Sequence, residues 1–202
     1  TLYQADARRC HALPIDGVDL VVTSPPYANN FDYADALRLE MTFWGVVRGW
    51  ADLHPSVRRH LLVSCSQHAS AEKLNAGHLL EHTSLRCLRD DLRPIIDELS
   101  SLRLLKPGHK HYDAMVAAYF LGMAEVWESL RKVCKPSGRI CMVIGDSAPY
   151  GVHVPVPVFL GRLALAAGFS HYSFVKQRDR NVKWKNRKHT VPLVEGQLWV
   201  EG

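Results

Sequence analysis

A chain of 202 residues with 47% hydrophobic composition can bury one sizeable core, so a single domain over 1–202 is the expectation. Its 25 Lys and Arg against 20 Asp and Glu give a net charge of +5, a bias toward anionic partners. Five cysteines at 10, 65, 87, 134 and 141 form no C-x-x-C pair, which argues against a disulfide framework or zinc knuckle and fits a reducing, cytoplasmic setting; no apolar run nears the roughly 20 residues of a bilayer span, and residues 1–20 lack the basic-then-apolar order of a signal peptide.

Thr1 to Ala7 is short, partly apolar and runs into Asp6-Ala7-Arg8, which predicts a strand and a polar turn. After Pro14 and Asp16-Gly17, the β-branched run Val18 to Thr23 (VDLVVT) meets two prolines, the pattern of a buried strand stopped at its C-terminal end. Leu37, Met41 and Trp44 are spaced for a helix from Tyr33 to about Trp44. Residues 50–110 are dense in histidine and scattered charge. They read as a helical insertion that packs beside or closes over a site elsewhere, with a helical patch from Leu85 to Leu104 interrupted by Pro94.

Asp113 is the expected N-cap of a helix whose apolar face runs Val116, Tyr119, Phe120, Met123, Trp127, Leu130 and Cys134 at three- and four-residue spacing. Lys135-Pro136-Ser137-Gly138 should end it, and Arg139 to Gly145 should be a second buried strand, broken by Gly145-Asp146-Ser147. Pro155 to Ala167 reads as a further helix with Gly168 as its left-handed C-terminal residue. His171 to Val175 and Gln197 to Val200 read as an antiparallel strand pair across a basic stretch, Lys176 to His189. This succession predicts an α/β fold, a partial Rossmann-like sheet with helices on both faces.

In an open α/β sheet, ligands sit beyond the carboxyl ends of the strands, and Ser24-Pro25-Pro26-Tyr27 follows VDLVVT at that point. Each proline fixes its own φ and holds the residue before it extended, so the turn is stiff before any ligand arrives. A stiff turn offering a hydroxyl oxygen and constrained carbonyls suits the methylation of an exocyclic amine, whose lone pair is delocalised into its ring. Acceptors on the NH2 localise that lone pair and stabilise the charge developing on nitrogen. Tyr27 offers a flat face to a base removed from its helix. A double proline alone is an ordinary turn; Thr23-Ser24 before it and Tyr27 after it give the motif its chemical character.

Two other patterns are weighed against plainer readings. In the basic stretch, Lys183, Trp184, Lys185, Arg187 and Lys188 could grip phosphates and stack or wedge, where a charge run is otherwise a solvated loop. His78-Leu79-Leu80-Glu81-His82 has the H-x-x-E-H form of inverted zinc peptidases, but chance matches come easily in a chain with 11 histidines and no clear third ligand follows, so no metal is expected.

Thr23-Ser24-Pro25-Pro26-Tyr27 resembles the catalytic motif of DNA amino-methyltransferases, and its Ser form is similar to the N4-cytosine type. Flanking features agree: Asp6, the tail Ala28-Asn29-Asn30-Phe31-Asp32-Tyr33, and Lys135-Pro136-Ser137-Gly138-Arg139 before RICMVIGDS. The resemblance covers about residues 1–45 and 113–202. It implies S-adenosylmethionine as cofactor, double-stranded DNA as substrate and a restriction-modification setting with a cognate nuclease. It maps Ser24, Pro25, Pro26 and Tyr27 onto the amine- and base-binding positions, Asp6 and Thr23 onto the cofactor, and Asn30 onto the DNA side. N6 of adenine and a non-catalytic nucleic-acid-binding module are the alternatives. The family's Phe-x-Gly-x-Gly motif does not occur in residues 1–202, and the expectation is that it precedes Thr1 or follows Gly202.

Overall fold

Four strands form one sheet in the order β1-β2-β4-β3 in the computed structural model, which describes residues 2–10, 13–180 and 191–202. β1 (Val18–Thr23) runs parallel to β2 (Cys134–Gly145), with Thr23 opposite Met142. β3 (His171–Arg180) and β4 (Leu193–Glu201) pair antiparallel, and β4 also pairs antiparallel with β2. The expected C-terminal strand pair is therefore present and longer than its apolar cores suggested. Ladder hydrogen bonds carry β3 on through Lys176–Arg180, where the residue types alone read as loop.

The helices fall into two groups. Between β1 and β2 come α1 (Tyr33–Ala36), α2 (Arg38–Phe43), α3 (Leu53–Ser56), α4 (Ser66–Ala71), α5 (Ala76–Leu80), α6 (Arg89–Leu105) and α7 (Tyr112–Val133). After β2, α8 (Val156–Ala166) leads to Gly168, whose φ of +99° is the left-handed geometry that releases the chain into β3. α7 is the central element: Tyr119, Phe120, Met123 and Trp127 are fully buried, with Phe120 edge-on to Phe159 of α8 at 5.4 Å. Residues paired across strands share a face, so Val21, Ile140, Val200 and Tyr172 form one row and Thr23, Met142, Leu198 and Phe174 the next. These rows join the core with α7 and α8. Gly161 lets α8 lie directly on the Tyr172 ring, which a Cβ there would strike.

The expected helical cover is fullest on that face. On the other, Leu20 is 56% and Val22 70% exposed, so β1 is an edge strand with one bare side rather than a strand buried on both.

Several sequence expectations are corrected. Leu2–Asp6 forms no strand, because it has no partner in the sheet among the described residues; Ala7 and Arg8 do make the turn. The helix expected over Tyr33–Trp44 is two short ones broken at Leu37. Pro94 does not interrupt α6: sitting early in the helix, it removes one backbone bond there without ending it. α7 begins at Tyr112 with His111 as N-cap, and Asp113 lies buried in its first turn, paired with Arg103 at 3.2 Å instead of capping. α7 does end just before Lys135–Gly138, at Val133, but those residues already belong to β2, which starts at Cys134 instead of Arg139.

Candidate active site

The end of β1 delivers Ser24 beside β2. Its hydroxyl donates to the Val143 carbonyl at 3.3 Å, and its two lone pairs remain able to accept. Pro25, Pro26 and Tyr27 follow, each half-buried. The backbone then turns sharply: Asn29 N–H donates to the Tyr27 carbonyl at 2.8 Å, and Ser147 Oγ donates to the carbonyl of the fully buried Ala28. The turn is thus tied to both the strand and the segment that follows β2.

Tyr27 carries the guanidinium of Arg180 over its ring, 5.1 Å from the centroid, a cation–π contact. Arg180 also donates to the Asp146 carbonyl at 2.9 Å and lies 3.6 Å from Glu195. Partial burial raises the Tyr27 pKa, with the Glu195 charge adding to it, so the phenol stays protonated.

The loop after Tyr27 is braced by the insertion. Asn30 adopts φ +64° and its Oδ1 accepts from Ser66 N–H at 2.8 Å; Ser64 Oγ donates to the Phe31 carbonyl at 3.2 Å. Asp32 caps α1 by accepting from Ala34 and Asp35 N–H, and its other oxygen takes Arg58 at 2.6 Å in a pair shielded on both sides. This bracing gives 50–75 a structural role beside the turn.

A polar cavity of about 250 Å3 adjoins the turn, with Asn29, Asn30, Asp146, Ser147, Tyr150 and Arg180 on its walls. Asp146 is buried there; its carboxylate accepts from Val194 N–H at 3.4 Å and faces His153 at 3.2 Å. Larger hollows of about 570 and 600 Å3 lie against Thr83–Cys87 and Arg8–Ile15, away from Ser24 and Tyr27.

The structure brings Ser24, Pro25, Pro26, Tyr27 and Asn30 together in one region, with Thr23 at the end of its strand. Asp6 falls in the N-terminal segment outside the sheet instead of at a strand end. Arg8 holds its carboxylate through Nε and Nη2, the latter at 2.7 Å, and keeps it below the usual carboxylate range. Lys183, Trp184, Lys185, Arg187 and Lys188 lie outside the described residues. In the H-x-x-E-H segment, Glu81 pairs with Arg93 at 2.7 Å and His82 accepts from Ser84 N–H. Sequence reasoning did not single out Arg180, Arg58 or Ser66; each acts through a partner distant in the chain, and no local signal marks them.

Fold and turn together define an α/β protein with a prearranged acceptor site at a strand end. No family model matches the chain. It is 30% identical over 161 residues to the type II methyltransferase M.AvaI of Nostoc sp. strain PCC 7120, covering 77% of this chain and 31% of M.AvaI, and equally similar to the M.AvaI of Anabaena variabilis. It is 27% identical over 182 residues to the type II methyltransferase M.BsoBI of Geobacillus stearothermophilus, covering 81% of this chain and 34% of that one. The chain therefore spans about a third of the length of the curated relatives it matches. Two crystal structures of a candidate DNA modification methylase from Thermus thermophilus align over 97% and 98% of this chain and 50% and 51% of theirs, at TM-scores of 0.38 and 0.39 and 16% and 15% identity.

Proposed function

We propose that this chain carries the amine-binding side of an S-adenosylmethionine-dependent DNA methyltransferase, acting on the exocyclic amine of a flipped base, N4 of cytosine in the first instance. The observation that carries this is Ser24: its hydroxyl lies at the strand end, donating to the Val143 carbonyl and beside Tyr27, with lone pairs that can accept from an amine. The similarity to type II methyltransferases supports the same chemistry.

Ser24 Oγ and a carbonyl of the proline turn accept from the NH2, aligning its lone pair, and Tyr27 stacks on the ring of the base. Asn30 lines the cavity while braced by Ser66, and Lys183, Trp184, Lys185, Arg187 and Lys188 would grip the duplex. S-adenosylmethionine supplies the electrophilic methyl. Among the described residues its adenosine finds no glycine cradle. Gly145, which ends the neighbouring strand, is packed against Val194, whose carbonyl a Cβ would meet at 2.7 Å. The roles of Thr23 and Asp6 toward the donor rest on the resemblance alone.

The test incubates the full-length protein with S-adenosylmethionine and duplex DNA, then digests the DNA to nucleosides. N4-methylcytosine is expected. N6-methyladenine as the sole product moves the assignment to adenine, and unmodified nucleosides overturn the enzymatic reading.

A further inference from the structure

We infer that the groove formed by residues 106–112 and 148–151 is a DNA-strand channel leading into the site, with Lys106 and Lys110 as its phosphate contacts. The inference rests on the assignment of DNA as substrate and extends it to residues that no motif marked.

The groove is a hollow of about 420 Å3 lined by Lys106, Pro107, Lys110, Tyr112 and Tyr150, among others. It shares Tyr112, Ala148 and Tyr150 with the polar cavity beside the Ser24–Tyr27 turn, so the two lie side by side. A nucleotide whose base occupies the cavity has a backbone that must leave along an adjoining surface, and this one offers two exposed ammonium groups and two aromatic side chains. Lysines neutralise phosphates and the tyrosines can stack a neighbouring base.

The groove is also held rigid at a conformational cost. Tyr150 sits at φ +52° and ψ +15°, a region that bulky side chains seldom occupy. Its hydroxyl accepts from Lys110 N–H at 2.9 Å and donates back to the Lys110 carbonyl at 3.4 Å, while its ring meets Tyr112 edge-on at 4.5 Å. Gly108 and His109, both at positive φ, make the tight turn that sets the two lysines on the same rim, and His109 Nδ1 lies 2.9 Å from the Arg103 carbonyl. A strained tyrosine clamped to the backbone of Lys110 fixes the point from which its side chain reaches beside the polar cavity. Burial of an apolar core does not require this arrangement, because both lysines and the turn between them are exposed.

The experiment measures binding of duplex DNA to the full-length protein across a salt series by fluorescence anisotropy, with methyl transfer followed in parallel. Against the natural protein stand Lys106→Gln/Lys110→Gln and the charge-keeping Lys106→Arg/Lys110→Arg. The Gln pair is expected to flatten the plot of log affinity against log salt by about 1 to 2 units and to raise KM for DNA, while the Arg pair keeps the natural slope. An unchanged slope in the Gln pair, or an equal flattening in the Arg pair, overturns the channel whatever the methylation assay gives. A flattened slope in the Gln pair alone, in a protein that transfers no methyl group, supports the channel and overturns the catalytic reading of Ser24 and Tyr27.

Discussion

The Ser24 hydroxyl donates to the Val143 carbonyl at 3.3 Å, and its lone pairs can accept from an incoming amine. Ser24→Ala removes that acceptor without disturbing the proline turn, so kcat of the full-length protein should fall about 10²- to 10³-fold with KM for DNA little changed, as for other prearranged polar groups aimed at developing charge. Steady-state methylation of duplex DNA measures it, and retention of more than half the natural kcat would discard the role. A different residue makes the opposite kind of prediction. Tyr119 is fully buried on α7, its hydroxyl has no partner among the described residues, and burial raises its pKa strongly. Tyr119→Phe deletes a desolvated polar group and should stabilise the fold by about 1 kcal/mol in urea denaturation; a loss of stability would mean the hydroxyl has a partner after all. The proline turn and its tyrosine were legible in the sequence because their constraint is local. The contacts that complete them were not. Val143 stands on a strand reached only after the whole insertion, and Arg180, which covers Tyr27, lies in a run of charges that composition assigns to solvent.

At the level of elements, the insertion and the loop after Tyr27 meet through a shielded ion pair as well as through Ser64 and Ser66. Arg58 and Asp32 have side-chain exposures of 8% and 12%, so removing either partner strands a charge away from water. Arg58→Ala should therefore cost about 3 kcal/mol, whereas Arg38→Ala, which breaks the neighbouring pair with the half-exposed Asp35, should cost about 0.5 kcal/mol or less beyond its contact with Trp50. Equal costs in chemical denaturation would show that the loop is not braced there. The same logic explains which elements could be read ahead of the structure. α7 and β1 announce themselves by periodicity and β-branching, since each is specified by its own side chains. Leu2–Asp6 has comparable residues but pairs with no described strand, and Lys135–Gly138, which closes α7 as expected, is also drawn into β2, with a register shift in its pairing to β1. Strand identity is a property of the pair. Asp113 was misjudged for a related reason: a cap and a buried partner of Arg103 look alike in one dimension.

Across the whole molecule, acid should act first through the insertion. His68 on α4 is 3% exposed, and burial holds its pKa down at about 4; its neighbours are Glu72, Arg58, Asp32 and the edge-on ring of His54, itself paired with Glu72 at 3.0 Å. The folded state resists protonating His68 until pH approaches 4, whereas the unfolded chain takes up that proton near pH 6.5. The contribution of neutral His68 is thus fully present above pH 6.5 and is lost as pH falls toward 4, with a slope of up to about 1.4 kcal/mol per pH unit. α4 begins at Ser66, whose N–H holds Asn30, so loosening α4 also releases the loop that follows Tyr27. Chemical denaturation of the natural protein and His68→Gln at intervals from pH 7 to 4 separates this group from the carboxylates titrating beside it. The variant should show the shallower decline over that window, and methylation by the natural full-length protein should fall with pH before global unfolding begins. Parallel stability curves for the two proteins would refute the assignment, because then the proton taken up on unfolding does not belong to His68.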